Sequence, residues 1–198
     1  MTTGKRHFLF LQGNATPFYR RLGQRLAEAG HHVSRINVGG GDYLFWGDWN
    51  ALNWRGTPDE LISEIPSLIR HIAPTDLILF GDCRPIHRAA IETAKQSDIR
   101  VNVFEEGYLR PHWITLECDG VNGYSRMPRD PAWYLNTAQQ LPPPPPVLPV
   151  GGGMRNRVMY DFAWQLANYA FLPKFPGFRT HRPYPIWREY ATWLRRLA

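Results

Sequence analysis

Cysteine is scarce in this 198-residue chain, which contains only Cys83 and Cys118. Two cysteines provide no disulfide framework, and so low a content is typical of proteins that fold in a reducing cytoplasm. Cys83 and His87 have the spacing of a metal-ligand pair, but the sequence has no second pair near them. We therefore expect no metal site and no cofactor.

Long apolar runs and nucleotide-binding signatures are also missing from the sequence. The apolar run at Phe8–Leu11 is too short for a signal peptide or a membrane span, and it predicts a first strand instead. The chain has no G-x-G-x-x-G, no G-K-[ST] and no nucleophile-elbow serine. These absences argue against a dinucleotide site, a P-loop and an α/β-hydrolase.

Charge is distributed unevenly along the chain. Residues 1–150 carry 15 basic and 15 acidic side chains, whereas residues 151–198 carry 8 basic and 2 acidic ones, so the whole net charge of +6 lies in the last 48 residues. Five prolines at 142–146 predict a stiff linker just before this change in composition. We therefore divide the chain into a Rossmann-like domain (1–140), a proline-rich linker (141–150) and a basic, aromatic helical segment (151–198).

Hydrophobic periodicity predicts an α/β fold. Apolar runs alternate with amphipathic helical patterns in the order β-α-β-α-β-α-β, which is typical of a parallel sheet with helices on both faces. The predicted strands are His7–Gln12, His32–Val38, Asp76–Phe80 and Arg100–Phe104. The predicted helices start near Phe18, at the Thr57 cap and at Pro85.

Loops, a hairpin and two helices are predicted for the remaining stretches. Residues 39–42 read as a glycine-rich loop, and the aromatic residues 43–57 as irregular structure. Trp113–Glu117 and the stretch from Val121 onward predict a β-hairpin around the turn Asp119-Gly120. Residues 155–170 and 186–198 look helical, which gives the fold a C-terminal helical tail.

Polar residues follow all four predicted strands, where the sequence reads QGN, GGGD, FGDCRP and FEEGYLRP. Because the carboxyl ends of parallel strands meet at one edge of a sheet, these segments predict a ligand site there. Any one of the loops alone would be an ordinary turn. The candidate substrate-binding residues are Gln12, Gly13, Asn14, Asp42, Asp82, Arg84, His87 and Arg110.

Glu105 and Glu106 form the sharpest candidate, because two adjacent carboxylates end an apolar strand. Paired carboxylates can act as nucleophile, general base or charge stabiliser when their environments separate their pKa values. The alternative is structural, with one carboxylate paired to Arg110 and the other solvated. The sequence alone does not decide between the two.

Arg84, Arg110 and His87 also allow two interpretations each. An arginine at a strand end can bind a carboxylate or phosphate with two parallel hydrogen bonds, or it can tie down the backbone of its own loop. His87, near the start of the helix that Pro85 opens, is either a site residue or a structural histidine.

Several longer segments carry a family resemblance, namely FLQG, INVGGGDYLFW, LFGDCRPIHRAAI, VFEEGYLRPHWITLE, GVNGYSRMPRDPAWY and HRPYPIW. Through these segments the chain resembles the capsular polysaccharide biosynthesis and export proteins of Gram-negative bacteria. It is most similar to the branch that adds the first β-linked Kdo to a phosphatidylglycerol-type lipid. The resemblance implies a GT-B type glycosyltransferase of two Rossmann-like halves, which uses CMP-Kdo with retention of configuration.

The resemblance also implies roles for particular residues. The acidic-acidic-Gly motif of the family falls on Glu105-Glu106-Gly107, which makes Glu106 the catalytic carboxylate and Glu105 its support. Relatives often have Asp at the second position, so the longer Glu106 departs from the pattern. The chain has no His-Pro dipeptide, the nucleotide-binding motif of the second half. It therefore resembles the N-terminal, acceptor-side half of such an enzyme.

The basic, aromatic segment 151–198 allows two roles. Cations and aromatic rings suit an anionic membrane surface, and the resemblance implies a cytoplasmic protein on the inner face of the inner membrane, in contact with other capsule-assembly proteins. Alternatively, these helices pack against the second half of the enzyme. A different function also stays open, that of a non-catalytic, truncated scaffold protein of capsule assembly. We expect no nucleic-acid partner, because no recognition motif accompanies the charge.

Overall fold

A computed structural model describes residues 4–109, 112–147 and 153–180, together with 188, 190–192 and 195. The described residues form one six-stranded sheet with strand order β3-β2-β1-β4-β5-β6. The first five strands are parallel, and β6 runs antiparallel to β5. The strands are β1 (His7–Phe10), β2 (His32–Asn37), β3 (Ala51–Asn53), β4 (Asp76–Phe80), β5 (Arg100–Glu106) and β6 (Ile114–Cys118).

Six α-helices accompany the sheet in the described ranges. They are α1 (Phe18–Glu28), α2 (Gly40–Trp46), α3 (Pro58–Ile72), α4 (Pro85–Gln96), α5 (Pro131–Gln140) and α6 (Gly153–Ala170). The predicted class, a Rossmann-like α/β sheet followed by a helical segment, is therefore confirmed. None of these helices combines the length and the apolar character that crossing a membrane requires.

The alternation of side chains along the strands produces a hydrophobic core on each face of the sheet. In β1, Phe8 and Phe10 pack on the side of α1 and α2, whereas Leu9 packs on the side of α3 and α4. The sheet is thus covered on both faces, as the near-continuous apolar strands predict.

The start of α3 shows how local sequence fixes an element. The Thr57 hydroxyl accepts a hydrogen bond from the Glu60 N–H at 3.3 Å, and the Glu60 carboxylate accepts one from the Thr57 N–H at 2.7 Å. This capping box satisfies two N–H groups at the helix start, and Pro58 occupies the first turn. The predicted helix start at Thr57 is confirmed.

The interpretation of residues 39–57 as loop and irregular structure was wrong, because α2 and β3 lie there. The glycines permit a close helix crossing instead of a loop. A Cβ on Gly40 would lie 2.1 Å from the Ala167 carbonyl oxygen of α6, and one on Gly41 would lie 2.3 Å from Trp164 Nε1. Asn168 of α6 accepts a hydrogen bond from the Gly41 N–H at 2.8 Å.

We expect Gly40→Ala to lower the free energy of unfolding by about 2 kcal/mol, because the new methyl group meets a backbone oxygen that cannot move aside. Chemical denaturation measures this loss, and proteolysis within α6 should become faster. Gly123→Ala is the matched control, since a Cβ there has no atom within 4 Å. Equal stability of the two variants would contradict this account of the crossing.

The predicted hairpin around Asp119-Gly120 was also wrong. β6 pairs with the preceding strand, with Val103 opposite Glu117, and residues Asn122–Tyr124 form a short 3-10 turn. The cause is a tertiary contact, because the buried Asp82 carboxylate accepts a hydrogen bond from the Val121 N–H at 2.9 Å. This bond turns the chain back toward the end of β4.

The segment after the proline-rich stretch returns to the first 140 residues. Of its two predicted helices, the one at 155–170 is confirmed as α6, which packs on α2 with Trp164 buried, whereas most of the one at 186–198 lies outside the described residues. Phe175, beyond α6, is buried as well. The proposed linker is irregular over residues 142–147, and residues 148–150 lie outside the described ranges.

Candidate functional site

The carboxyl edge of the sheet has a switch point between β1 and β4. These strands are neighbours, yet the helix after β1 covers one face and the helix after β4 covers the other. Such a divergence opens a crevice where α/β proteins bind ligands. Gln12–Asn14 follow β1, Gly81 and Asp82 follow β4, and Glu105 and Glu106 end the adjacent β5.

Arg84 joins the two sides of this crevice. Its Nη1 donates hydrogen bonds to the carbonyl oxygens of Gln12 at 3.1 Å and Gly13 at 3.5 Å. Burial lowers the pKa of Arg84, while the negative charges of Asp42 and Glu105 raise it. Arg84 thus ties down the loop after β1 and not, as predicted, its own loop, while its anion-binding role stays a prediction.

A buried ion pair lies beneath the crevice. Arg35 Nη2 of β2 lies 3.1 Å from Asp42 Oδ1 of α2, and both side chains are almost fully buried. Asp42 Oδ2 accepts a hydrogen bond from the Val38 N–H at 3.1 Å. Burial raises the pKa of Asp42 and lowers that of Arg35, although each charge partly offsets the shift of the other. The structure thus encloses Asp42 within the fold.

Sequence reasoning missed Arg35. The available signal was a cation inside an otherwise apolar, buried strand, a position that requires a partner. Its guanidinium also lies 5.3 Å from the Trp46 ring and 5.7 Å from the Tyr19 ring, in the range of cation–π attraction.

Asp82 and His87 support the turn after β4. Asp82 is buried, and its carboxylate accepts a hydrogen bond from the Cys83 thiol at 3.2 Å in addition to the one from the Val121 N–H. The bond from the thiol raises the pKa of Cys83. His87 is fully buried, with Nδ1 2.8 Å from the Gly81 carbonyl oxygen. Gly81 has φ +71°, a conformation that glycine adopts without strain. The substrate-binding roles given to both side chains stay predictions.

The residues after β1 form a tight turn. Asn14 Oδ1 accepts a hydrogen bond from the Thr16 hydroxyl at 2.9 Å. Gly13 lies so close to α1 that an added Cβ would be 2.8 Å from the Tyr19 ring. This turn therefore brings the start of α1 up to the crevice.

Glu105 and Glu106 have different surroundings, although both are half-buried. Glu105 Oε1 accepts a hydrogen bond from the Glu106 N–H at 2.9 Å, and its Oε2 lies beside Gly81. The two terminal guanidinium nitrogens of Arg157 contact the Glu106 carboxylate, with Nη2 2.7 Å from Oε1 and Nη1 donating to Oε2 at 3.4 Å. The Glu106 side chain keeps 33% of its surface exposed, so a substrate can reach it.

Arg157 of α6 was missed, since no local pattern reveals a contact across 51 residues of sequence. The structural alternative for the acidic pair named Arg110 as the partner, and Arg110 lies outside the described residues. Within the part of the chain that the structure describes, no group of three His, Cys, Asp or Glu side chains is placed to hold a metal ion.

Among curated proteins, the chain is 34% identical over 197 residues to the capsule polysaccharide export protein KpsS of Escherichia coli, covering 98% of this chain and 49% of that protein. It is 33% identical over 186 residues to the capsule polysaccharide modification protein LipB of Neisseria meningitidis serogroup A, covering 89% of this chain and 43% of the relative. The chain thus spans about half the length of the curated relatives it matches, corresponding to their N-terminal halves.

Among solved structures, a crystal structure described as a UDP-N-acetylglucosamine 2-epimerase of Listeria monocytogenes superposes with a TM-score of 0.37 at 13% identity. The match covers 50% of this chain and 30% of that one, and the likeness is too slight to carry an argument. The sequence model of the capsule polysaccharide biosynthesis protein family matches residues 75–198. Because this match covers more than half of the chain, the chain belongs to the capsule polysaccharide biosynthesis protein family.

Proposed function

We propose that this chain is the acceptor-side half of a retaining glycosyltransferase, which moves Kdo from CMP-Kdo to a phosphatidylglycerol-type lipid. The observation that carries the proposal is the half-exposed carboxylate pair at the end of β5, next to the switch point where Arg84 supplies a cation. Membership of the capsule polysaccharide family supports a role in building the capsule polymer.

In the proposed reaction, the Glu106 carboxylate attacks the anomeric carbon of Kdo and CMP leaves with the electrons of the broken bond. The acceptor hydroxyl then attacks the same carbon and its proton passes to water, while the bond to Glu106 breaks and its electron pair returns to the carboxylate. Two inversions at one carbon give net retention. Arg157 holds the Glu106 carboxylate in place through two nitrogens, so the nucleophile is ordered before substrate arrives.

The chain spans about half the length of its curated relatives, so the test supplies the C-terminal half of such an enzyme separately. The test mixes the purified chain with CMP-Kdo and a short-chain lysophosphatidylglycerol, with and without the C-terminal half of the Escherichia coli relative. Kdo-lipid formed only with the added half supports the proposal. Binding of lipid with no transfer in either mixture would favour the non-catalytic scaffold instead.

The exposed face of α6 supports an attachment to the inner face of the inner membrane. Met159, Phe162, Leu166 and Tyr169 recur at helical spacing and are all more than half exposed, while the other face of α6 packs on α2. An apolar stripe with nearby cations suits an anionic lipid surface.

We expect the chain to float with phosphatidylglycerol vesicles and Leu166→Glu to float about fivefold less, because the new charge must enter the interface. Glu64→Gln on α3 is an exposed control variant. Equal flotation of the Leu166→Glu variant and the wild-type chain would remove this face from membrane binding.

A further inference from the structure

A small cavity of about 170 Å³ lies at the carboxyl edge, between the first turns of α3 and α4. Trp54, Leu61 and Ile86 contribute apolar wall, and Gln12, Arg84 and Arg179 contribute polar groups. Arg179 belongs to the basic C-terminal segment, so the cavity is completed only when this segment folds back on the sheet.

Two side chains on this cavity, the buried Gln12 and the half-buried Arg84, have hydrogen-bonding groups without a described partner. Gln12 is 5% exposed, and its side-chain amide bonds to none of the described residues. Arg84 donates through Nη1 alone, to the carbonyl oxygens of Gln12 and Gly13, and its Nη2 and Nε reach no acceptor in the described ranges. Because both residues line the cavity, these donors are available to a ligand or water that occupies it.

The start of α4 adds a further donor. The Arg88 N–H donates to the Arg84 carbonyl oxygen at 2.9 Å, the first hydrogen bond of the helix. The Ile86 N–H comes before Arg88 in the chain and therefore has no carbonyl acceptor within the helix. α4 has neither a capping side chain nor an acidic residue in its first turn. The contrast is α3, whose capping box already satisfies its own first turn.

We propose that this cavity binds a single anionic group, carboxylate or phosphate, of a substrate whose remaining body is no larger than one sugar ring. The anion accepts from the Arg84 fork, the Gln12 amide and the Ile86 N–H, and Arg179 at the rim adds positive charge. Asp59 on the α3 wall opposes the anion, so we expect a dissociation constant of about 1 mM for a small probe.

This inference rests on the proposed function only for the identity of the substrate. Two sources supply the required chemistry, the carboxylate of Kdo and the phosphoglycerol head group of the lipid acceptor. The volume admits either, and Trp54 offers a flat apolar surface to a sugar ring or a glycerol chain.

The test titrates the 15N-labelled full chain with inorganic phosphate, glycerol 1-phosphate and free Kdo in separate NMR experiments. We expect saturable shifts of the Gln12 side-chain amide and the Ile86 N–H, and a dissociation constant raised about fivefold in Arg179→Gln. Arg179 is exposed, so this variant should fold. Arg21→Gln, an exposed change on α1, is the control.

Tighter binding of glycerol 1-phosphate than of the other probes assigns the site to the lipid head group, and tighter binding of Kdo assigns it to the sugar acid. Shifts that do not saturate, or equal affinities for Arg179→Gln and Arg21→Gln, would overturn the proposal.

Kinetics in the reconstituted transfer mixture separates this inference from the proposed function. Arg179→Gln should raise the KM of the substrate assigned by NMR about fivefold and leave kcat unchanged. If the NMR probes bind saturably but no mixture transfers Kdo, the anion site is supported and the proposed function is contradicted. If Arg179→Gln transfers Kdo with an unchanged KM for that substrate, the proposed function is supported and the substrate role of the cavity is contradicted.

Discussion

Glu106→Gln should lower the rate of Kdo transfer by about a thousandfold or more in the reconstituted mixture, because an amide cannot attack the anomeric carbon. The substitution preserves size and removes one charge-assisted contact with the half-exposed Arg157, so the fold should persist. The thermal midpoint of the variant, measured by calorimetry, should lie within a few degrees of the wild-type value.

Two further variants serve as comparisons for Glu106→Gln. Glu105→Gln should cost less, about tenfold to a hundredfold, because Glu105 caps the Glu106 N–H and supports the site instead of bonding to the sugar. Glu92→Gln, exposed on α4, should be neutral. Wild-type turnover by Glu106→Gln would remove that residue from the chemistry, and a larger loss in Glu105→Gln would exchange the two roles.

Asp42→Asn should lower the free energy of unfolding by about 3–5 kcal/mol, because it leaves the buried Arg35 cation without its partner. Arg35→Met should cost a similar amount for the converse reason. Urea denaturation followed by tryptophan fluorescence measures both losses, since Trp46 lies against the Arg35 guanidinium.

The double variant Arg35→Met/Asp42→Leu should recover most of the lost stability, because a buried ion pair replaced as a unit leaves no charge stranded. Strictly additive losses in this cycle would contradict the assignment of the pair to the fold. If Asp42→Asn kept wild-type stability and lost transfer, Asp42 would belong to substrate binding, as the sequence analysis predicted.

The parallel strands and the helices α1, α3 and α4 could be predicted because each is specified locally. Apolar runs of strand length, the Thr57 capping box and the Pro85 helix start all lie within a few residues of the elements they define. α2 could not be predicted in this way, because its glycines are explained only by α6, more than 120 residues later in the chain.

The candidate site shows the same division between local and distant information. The positions of Gln12, Arg84 and the two glutamates at strand ends followed from the alternation of strands and helices. Arg157 and Arg179 could not be assigned, since the fold alone brings the C-terminal segment to the carboxyl edge. The basic composition of that segment indicated an anionic partner, but not that two of its cations would reach the site.

In the proposed reaction, this chain contributes the carboxylate that bonds to the sugar. The most direct measurement mixes the chain, the supplied C-terminal half and CMP-Kdo without acceptor, and then maps the protein by peptide mass spectrometry. We expect one Kdo residue attached to the peptide that contains Glu106, and its loss when lysophosphatidylglycerol is added. An adduct on the supplied half, or transfer with no adduct on Glu106 at any time after mixing, would contradict the claim.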